Sequence, residues 1–322
     1  MAPIAFCAGQ PFPSTIIQLP ENEPVILVEK KSQTLFVYGG KTNALFVLFQ
    51  APCSTGEAYG DKLKAGDKRT PEGIYFLKNE YEDKYLSPIY GKKAFPTDYP
   101  NFLDKRAGKS GSAIWIHGTN KPLKPRDSNG CIALENSDIL KLSGYVSLDK
   151  TPVIIVQEIK RVESPARIKQ AQDIGRILTQ WTAATENGSH HDYVSFYSPE
   201  DLPDIHWWDQ WLSIRKQANK PVPHLRVKMD TTGIYYHNRV FVVVFDYFLT
   251  HKNNTLWIGE KKLFLENQND QYKIIGEMFQ TVSKKFESAK TPLIAAARTL
   301  IRLRGKKEPM AEAHVFPLET SR

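Results

Sequence analysis

From Val25 to Phe49 the chain alternates short runs of β-branched and aromatic residues with turn formers. Val25-Ile26-Leu27-Val28 is followed by Thr34-Leu35-Phe36-Val37-Tyr38, a turn at Gly39-Gly40, and Ala44-Leu45-Phe46-Val47-Leu48-Phe49. Such side chains suit a pleated, half-buried surface and lose rotamer freedom in a helix, so the pattern predicts antiparallel strands around a sheet-based core. Gly73-Ile74-Tyr75-Phe76-Leu77 predicts a further strand, and Val153-Ile154-Ile155-Val156 the strand that closes this unit. With 322 residues and a hydrophobic share of 41%, the chain is long enough for two ordinary cores. No apolar run approaches the ~20 residues that cross a bilayer as a helix.

Within this first unit, Ile114-Trp115-Ile116 ends at His117-Gly118-Thr119, and a loop bearing Pro122, Pro125, Asp127, Asn129 and Gly130 returns to Cys131, where Ile132-Ala133-Leu134 resumes the apolar pattern. The reading is strand, loop, nucleophile and next element, with His117 and Cys131 at the mouth of one loop. A thiol attacks as thiolate, and an imidazole within reach both takes its proton and later protonates a leaving amine. Gly130, lacking a Cβ, lets N–H groups beside Cys131 converge on a developing oxyanion. From the bare pair, a second reading stands beside this one: a lone cysteine as a small buried hydrophobe and a strand-end histidine as a structural residue.

More of the chain carries a resemblance. Ser54-Thr55-Gly56, Gly60-Asp61-Lys62, Gly66-Asp67-Lys68-Arg69-Thr70-Pro71-Glu72-Gly73-Ile74-Tyr75 and Ser128-Asn129-Gly130-Cys131 with the upstream His117-Gly118 resemble the L,D-transpeptidase (YkuD-like) catalytic domain, whose members act on peptidoglycan. Tyr90-Gly91, Ala94-Phe95-Pro96, Tyr99-Pro100-Asn101 and Gly111 to Gly118 are similar to a murein-processing branch that includes L,D-carboxypeptidases with an added C-terminal domain. The resemblance implies a mainly β catalytic domain, a β-sandwich with short helices. It implies catalysis by Cys131 and His117, with the Gly118 backbone orienting the imidazole, and an oxyanion hole at Gly130 and Cys131. Tyr90, Arg126, Ser128 and Asn129 are the candidate substrate contacts, and the partners implied are peptidoglycan stem peptides.

Two departures bear on the reaction. The better-known transpeptidases carry His or Arg where this chain has Asn129 and Arg where it has Ala133, and their loop between histidine and cysteine is longer. An arginine able to hold a carboxylate bidentately is thus absent at position 133, and the acceptor, water or amine, stays open. Water makes an L,D-carboxypeptidase that trims tetrapeptide to tripeptide; an amine makes an L,D-transpeptidase. A wall-binding scaffold with a vestigial site is the reading from another class. Thiolate and imidazole suffice for this chemistry, so no metal or organic cofactor is expected.

The glycines at 56, 60, 66 and 73 lack the order of a phosphate-binding loop and are read as loop-shaping. Lys62, Lys64, Lys68 and Arg69 suggest a substrate groove or, at least as well, a solvated basic face. Glu80 to Lys109 has little periodicity and is read as an irregular lid or binding loop, with Tyr85, Tyr90 and Tyr99 able to touch substrate. Asn136 or Ser137 is expected to cap a short helix through Ile139-Leu140.

Composition changes after Lys160. Pro165 opens a helical pattern with Ile168, Ala171, Ile174, Ile177, Leu178 and Trp181 at three- and four-residue spacing. A second helix is expected around Trp207 to Lys216. Strands follow at Val240 to Phe248, Thr255 to Leu265 and Tyr272 to Glu277. The order resembles a nuclear-transport-factor-2-like domain, an α+β cone with a pocket, for which a glycan-binding or wall-positioning role is the hypothesis. The domains expected are an N-terminal extension (1–21), the catalytic domain (22–160), the cone (161–287) and a C-terminal helix with its tail (288–322).

Trp208 and Trp211 are read as core, while His190, His191 and His206 lack a metal-ligand spacing. The apolar stripe of Leu293, Ala296, Ala297, Leu300, Ile301 and Leu303, ringed by Arg298, Arg302, Arg304, Lys306 and Lys307, docks on the body or, on a sharper reading, on an anionic membrane. Homo-oligomer contact is a further expectation for the surface. A net charge of +8 fits an anionic wall polymer and does not call for nucleic acid. Cys7, Cys53 and Cys131 form no C-x-x-C pair; a Cys7–Cys53 bridge is open and Cys131 must stay free. Met1 to Pro13 lacks a basic region followed by a long apolar one, so no complete signal peptide is expected. A periplasmic or cell-envelope location follows from the resemblance alone.

Overall fold

The computed structural model describes residues 4–5, 12–41, 44–218 and 225–303. Four layers stack in it. Outermost is a four-stranded sheet of Ile132–Glu135, Trp115–Thr119, Lys93–Pro96 and Tyr81–Glu82. It packs on a six-stranded sheet in the order Ile4–Ala5, Ala44–Pro52, Thr34–Lys41, Pro24–Glu29, Pro152–Val156 and Gly73–Phe76. The far face of that sheet meets a five-stranded antiparallel sheet of Gln271–Val282, Asn254–Gln268, Val240–His251, Leu225–His237 and Ile16–Gln18. Helices Ser164–Asn187, Trp208–Ala218 and Pro292–Arg302 fill the concave side of this last sheet. The mainly β sandwich and the α+β cone both stand as expected.

The layering explains why the central strands read as unbroken apolar runs. Ile26 and Val28 enter the core beneath the four-stranded sheet, with Ile116, Ile132 and Leu134. Val25 and Leu27, pointing the opposite way, pack with Val242, Val244 and Phe264 of the cone. A strand covered on both faces needs no polar side. The two units thus share a buried apolar interface, and the N-terminal stretch sews them together. Phe12–Pro13 pairs with Arg161–Val162, and Ile16–Gln18 is the edge strand of the cone's sheet. Residues 12–18 of the expected N-terminal extension are therefore part of the fold.

Pro24–Glu29, Thr34–Lys41 and Ala44–Pro52 pair antiparallel as expected, and Pro152–Val156, whose direction the sequence leaves open, runs parallel to Pro24–Glu29. Other expectations are corrected. Gly39 and Gly40 continue the strand, opposite Phe46 and Leu45, because side chains crowd them: a Cβ on Gly39 would lie 2.9 Å from Leu48 Cδ1. The segment after Glu80 is not one irregular lid; it supplies two strands of the outer sheet, two 3-10 turns and the helix Phe102–Arg106. Glu135, not Asn136 or Ser137, is the N-cap of helix Asn136–Ser143, with no side-chain cap. The C-terminal helix buries Leu293, Ala296, Ala297 and Leu300 in the cone, which is the docking on the body that the stripe suggested. Residues 304–322 and Cys7 lie outside the described residues, while Cys53 is a free, buried thiol. Among the described residues no helix is long and apolar enough to cross a membrane.

The cone's sheet curves through register shifts, among them one between Asp230 and Gly233 and one between Tyr247 and Phe248. Its interior is aromatic, with Trp181, Tyr193, Tyr247, Trp208 and Trp211 buried. A cavity of about 80 Å³ remains between Tyr193, Trp207, Tyr247, Lys261, Glu277 and Phe279. There the Lys261 ammonium sits 3.0 Å from Glu277 and 5.0 Å from the Trp181 ring centre, and Tyr197 donates to Glu277 at 2.7 Å.

Candidate active site

The parallel pairing of Trp115–Thr119 with Ile132–Glu135 builds the site. Ile116 lies opposite Ile132 and His117 opposite Ala133. Because side chains alternate along a strand, Ile116, Ile132 and Leu134 fill the core while His117, Cys131 and Ala133 share the other face. That face is one wall of a cleft of about 260 Å³, also lined by Ser54, Tyr90, Lys121, Lys124, Asp127, Ser128 and Asn129. The structure therefore brings His117, Cys131, Tyr90, Ser128 and Asn129 together around one opening.

His117 is 7% exposed, and its Nδ1 lies 2.6 Å from Gly118 O. A carbonyl only accepts, so Nδ1 carries the proton and Nε2 presents a lone pair. Burial, the larger influence, pushes the imidazole pKa down against the Gly118 hydrogen bond. The Cys131 thiol contacts Ala113 O at 3.4 Å. Burial pushes its pKa up, opposed by a hydrogen bond from the Trp115 N–H and the charge of buried Lys62. Both shifts favour the neutral forms, a thiol and a neutral imidazole, over a preformed ion pair.

The turn ahead of Cys131 is pinned from several sides. Ser128 Oγ donates to Cys131 O at 2.7 Å and accepts from the Gly130 N–H at 3.1 Å. Gly130 has φ +122°, and a Cβ there would lie 2.7 Å from Arg69 O, so both conformation and space require glycine. The Gly130 N–H expected to meet an oxyanion is thus engaged by Ser128, and substrate must displace that hydroxyl to use it. Ser128 shapes the turn as well as lining the cleft.

Arg126 is not among the residues that line the cleft. Its Nη2 donates to Lys30 O at 3.0 Å and its guanidinium lies over the Tyr59 ring at 3.8 Å, away from the cleft. The positive φ of +54° at Arg126 turns the chain there, which the sequence could not reveal. Of the three tyrosines, Tyr85 is exposed and Tyr99 is buried with its hydroxyl on Ser110 O. Tyr90 stands edge-on to His117, ring centres 5.0 Å apart, and also packs on Trp115. Lys62 pairs with Asp67 and Lys68 with Glu57, and no residue of the 62–69 basic group lines the cleft.

Sequence reasoning missed the bracket behind the site. Asn136 Oδ1 accepts from the Lys92 N–H at 2.9 Å, its Nδ2 donates to Asn120 Oδ1 at 2.7 Å, and Asn120 Nδ2 donates to Pro88 O. This bridge ties the Tyr90 turn to the strand bearing His117. It also explains Gly118, where a Cβ would meet Asn136 Oδ1 at 2.4 Å. Lys121 and Lys124 were missed too, although both lie in the loop between the two signature residues.

Comparison with known proteins agrees with this geometry. Residues 23–155 match the YkuD family, the L,D-transpeptidase catalytic domain. The structure of Bd1075 from Bdellovibrio bacteriovorus is similar at 29% identity and a TM-score of 0.69, over 85% of this chain and 100% of that one. Pgp2 from Campylobacter jejuni, described as a helical cell shape determining protein, is similar at 27% identity and a TM-score of 0.63, over 83% of this chain and 95% of its own. No curated protein sequence matches the chain. Both structural relatives extend through the cone, while the segment 23–155, which holds the cleft, is the part that matches the model of the L,D-transpeptidase catalytic domain.

Proposed function

We propose that this chain is a cysteine-dependent peptidoglycan enzyme, an L,D-carboxypeptidase that trims a stem tetrapeptide to a tripeptide in the cell envelope. The observation that carries the reading is the placement of His117 and Cys131 on one wall of one cleft, with the imidazole fixed in the tautomer that leaves Nε2 free. The short loop, Asn129 and Ala133 in place of basic residues, and relatives that share both units favour the murein-processing branch.

In the proposed reaction His117 Nε2 takes the Cys131 proton as sulfur bonds to the carbonyl carbon at the L-centre of the diamino acid. Once substrate displaces Ser128 Oγ from the Gly130 N–H, N–H groups of the Gly130–Cys131 turn receive the oxyanion, and the Trp115 N–H holds the sulfur. Collapse breaks the C–N bond, and the imidazolium returns its proton to the departing D-residue's amine. Water then attacks the thioester with His117 as base, releasing the tripeptide carboxylate and the thiol.

Incubation of the protein and its Cys131→Ala variant with disaccharide tetrapeptide, products read by mass spectrometry, tests the reading. Loss of terminal D-alanine by the wild type alone, without dimers, is the expected result. Dimers, or exchange of an added D-amino acid, replace it with the transpeptidase. Equal inactivity of both proteins replaces it with a wall-binding scaffold.

A further inference from the structure

We propose that Lys121 and Lys124 hold the free carboxylate of the leaving D-residue, making the cleft selective for a peptide chain end. This rests on the acyl-transfer reading above and adds how the substrate is recognised.

Three formally charged side chains besides the His117–Cys131 pair line the cleft: Lys121, Lys124 and Asp127. Among the described residues neither lysine is within ion-pair distance of a carboxylate. Elsewhere in the same domain Lys30, Lys62, Lys68, Lys78, Lys93 and Lys109 all have acidic partners. Two cations without an ion pair in a concave site whose lining holds a single acid, Asp127, point to an anion supplied from outside. The alternative receptors are missing, since Arg126 turns to Lys30 O and Tyr59 and position 133 is alanine.

The loop that carries the lysines is braced. The Lys121 N–H donates to Thr119 Oγ1 at 3.0 Å and the Leu123 N–H to Glu135 Oε1 at 3.3 Å. Spanning the strand that carries His117 and the turn that delivers Cys131, it places both lysines along the wall of the cleft that holds the reacting pair. A scissile bond one residue from a chain end has its carboxylate within a few ångströms of the attacked carbonyl; an internal bond has none there.

The test compares turnover of disaccharide tetrapeptide ending in D-alanine with the same peptide ending in D-alaninamide. The wild type is expected to favour the acid about tenfold in kcat/KM, as for loss of one charge-assisted contact. In Lys121→Met/Lys124→Met the acid falls to the level of the amide, with a melting temperature like that of the wild type showing that the fold is intact. Lys121→Arg/Lys124→Arg retains the preference. A wild type that turns over acid and amide equally, or a double Met variant that keeps the distinction, overturns the assignment and leaves the hydrolytic reading standing. A wild type that turns over neither peptide overturns both.

Discussion

The cleft of the catalytic domain and the cavity of the cone are both concave, both mix aromatic rings with charge, and differ in what their charges are doing. In the cone, Lys261 is already answered by Glu277, a tyrosine hydroxyl and surrounding aromatic rings. In the cleft, His117 Nε2 presents its lone pair, the Cys131 thiol holds only weak contacts, and two lysines lack acidic partners among the described residues. A satisfied charge network stabilises or positions; chemistry needs groups whose proton and electron-pair capacity has not been used up. The same contrast separates the two described thiols. Cys53 is sealed in the sandwich core with its pKa pushed up to about 12 by burial, whereas Cys131 opens onto the cleft beside the Trp115 N–H and Lys62.

The sharpest way to break the comparison is to exchange the thiols' fates. Cys131→Ala is expected to lower tetrapeptide turnover by at least ~10⁴-fold with the melting temperature unchanged, as for loss of a nucleophile. Cys53→Ser should leave kcat intact but cost about 2 kcal/mol in urea unfolding, because a hydroxyl replaces a thiol in an apolar site. Comparable turnover losses in the two variants would erase the distinction. In the cone, Trp181→Ala should cost about 3–5 kcal/mol by the cavity it leaves, with kcat per folded molecule unchanged.

Asn136→Ala sharpens the picture at smaller scale. Freeing Tyr90 and the His117 strand from their bridge is expected to lower kcat/KM about tenfold with little change in stability. The pH dependence gives the smallest effect. Burial holds His117 below the ordinary imidazole value of 6.5. The neutral base therefore survives to lower pH, and activity is lost only as pH falls through that depressed value. An acid limb of kcat/KM at or above the ordinary value would contradict the buried, neutral imidazole.

The proposed reacting pair, His117 and Cys131, could be singled out in the sequence because strand, histidine, loop and cysteine are local signals, each with a physical reason for its residue type. The double-sided burial of Val25 to Val28 is not legible there, where the run reads as a half-buried strand; the second cover comes from the cone. What else escapes the sequence depends on contacts far apart in the chain. Ile16–Gln18 joins the cone through backbone pairing with Ile234 and Tyr235, which leaves no periodic trace. Gly39 and Gly40 look like a turn, yet they are glycine because Leu48 and Leu19 press on them. Arg126 is turned from the cleft by its own backbone φ and by Gln33, nearly a hundred positions away. Asn136 carries no motif; its part in the site is visible only once Lys92 and Asn120 stand beside it.

The central claim, a thiol made nucleophilic by its neighbouring imidazole, is tested most directly by intact-mass measurement after exposure to a carbapenem, with the adduct mapped by peptide digestion. The account predicts one adduct, on Cys131, formed far more slowly in His117→Ala and absent in Cys131→Ala. An adduct on Cys53, or a Cys131 adduct whose rate ignores the loss of His117, would contradict it.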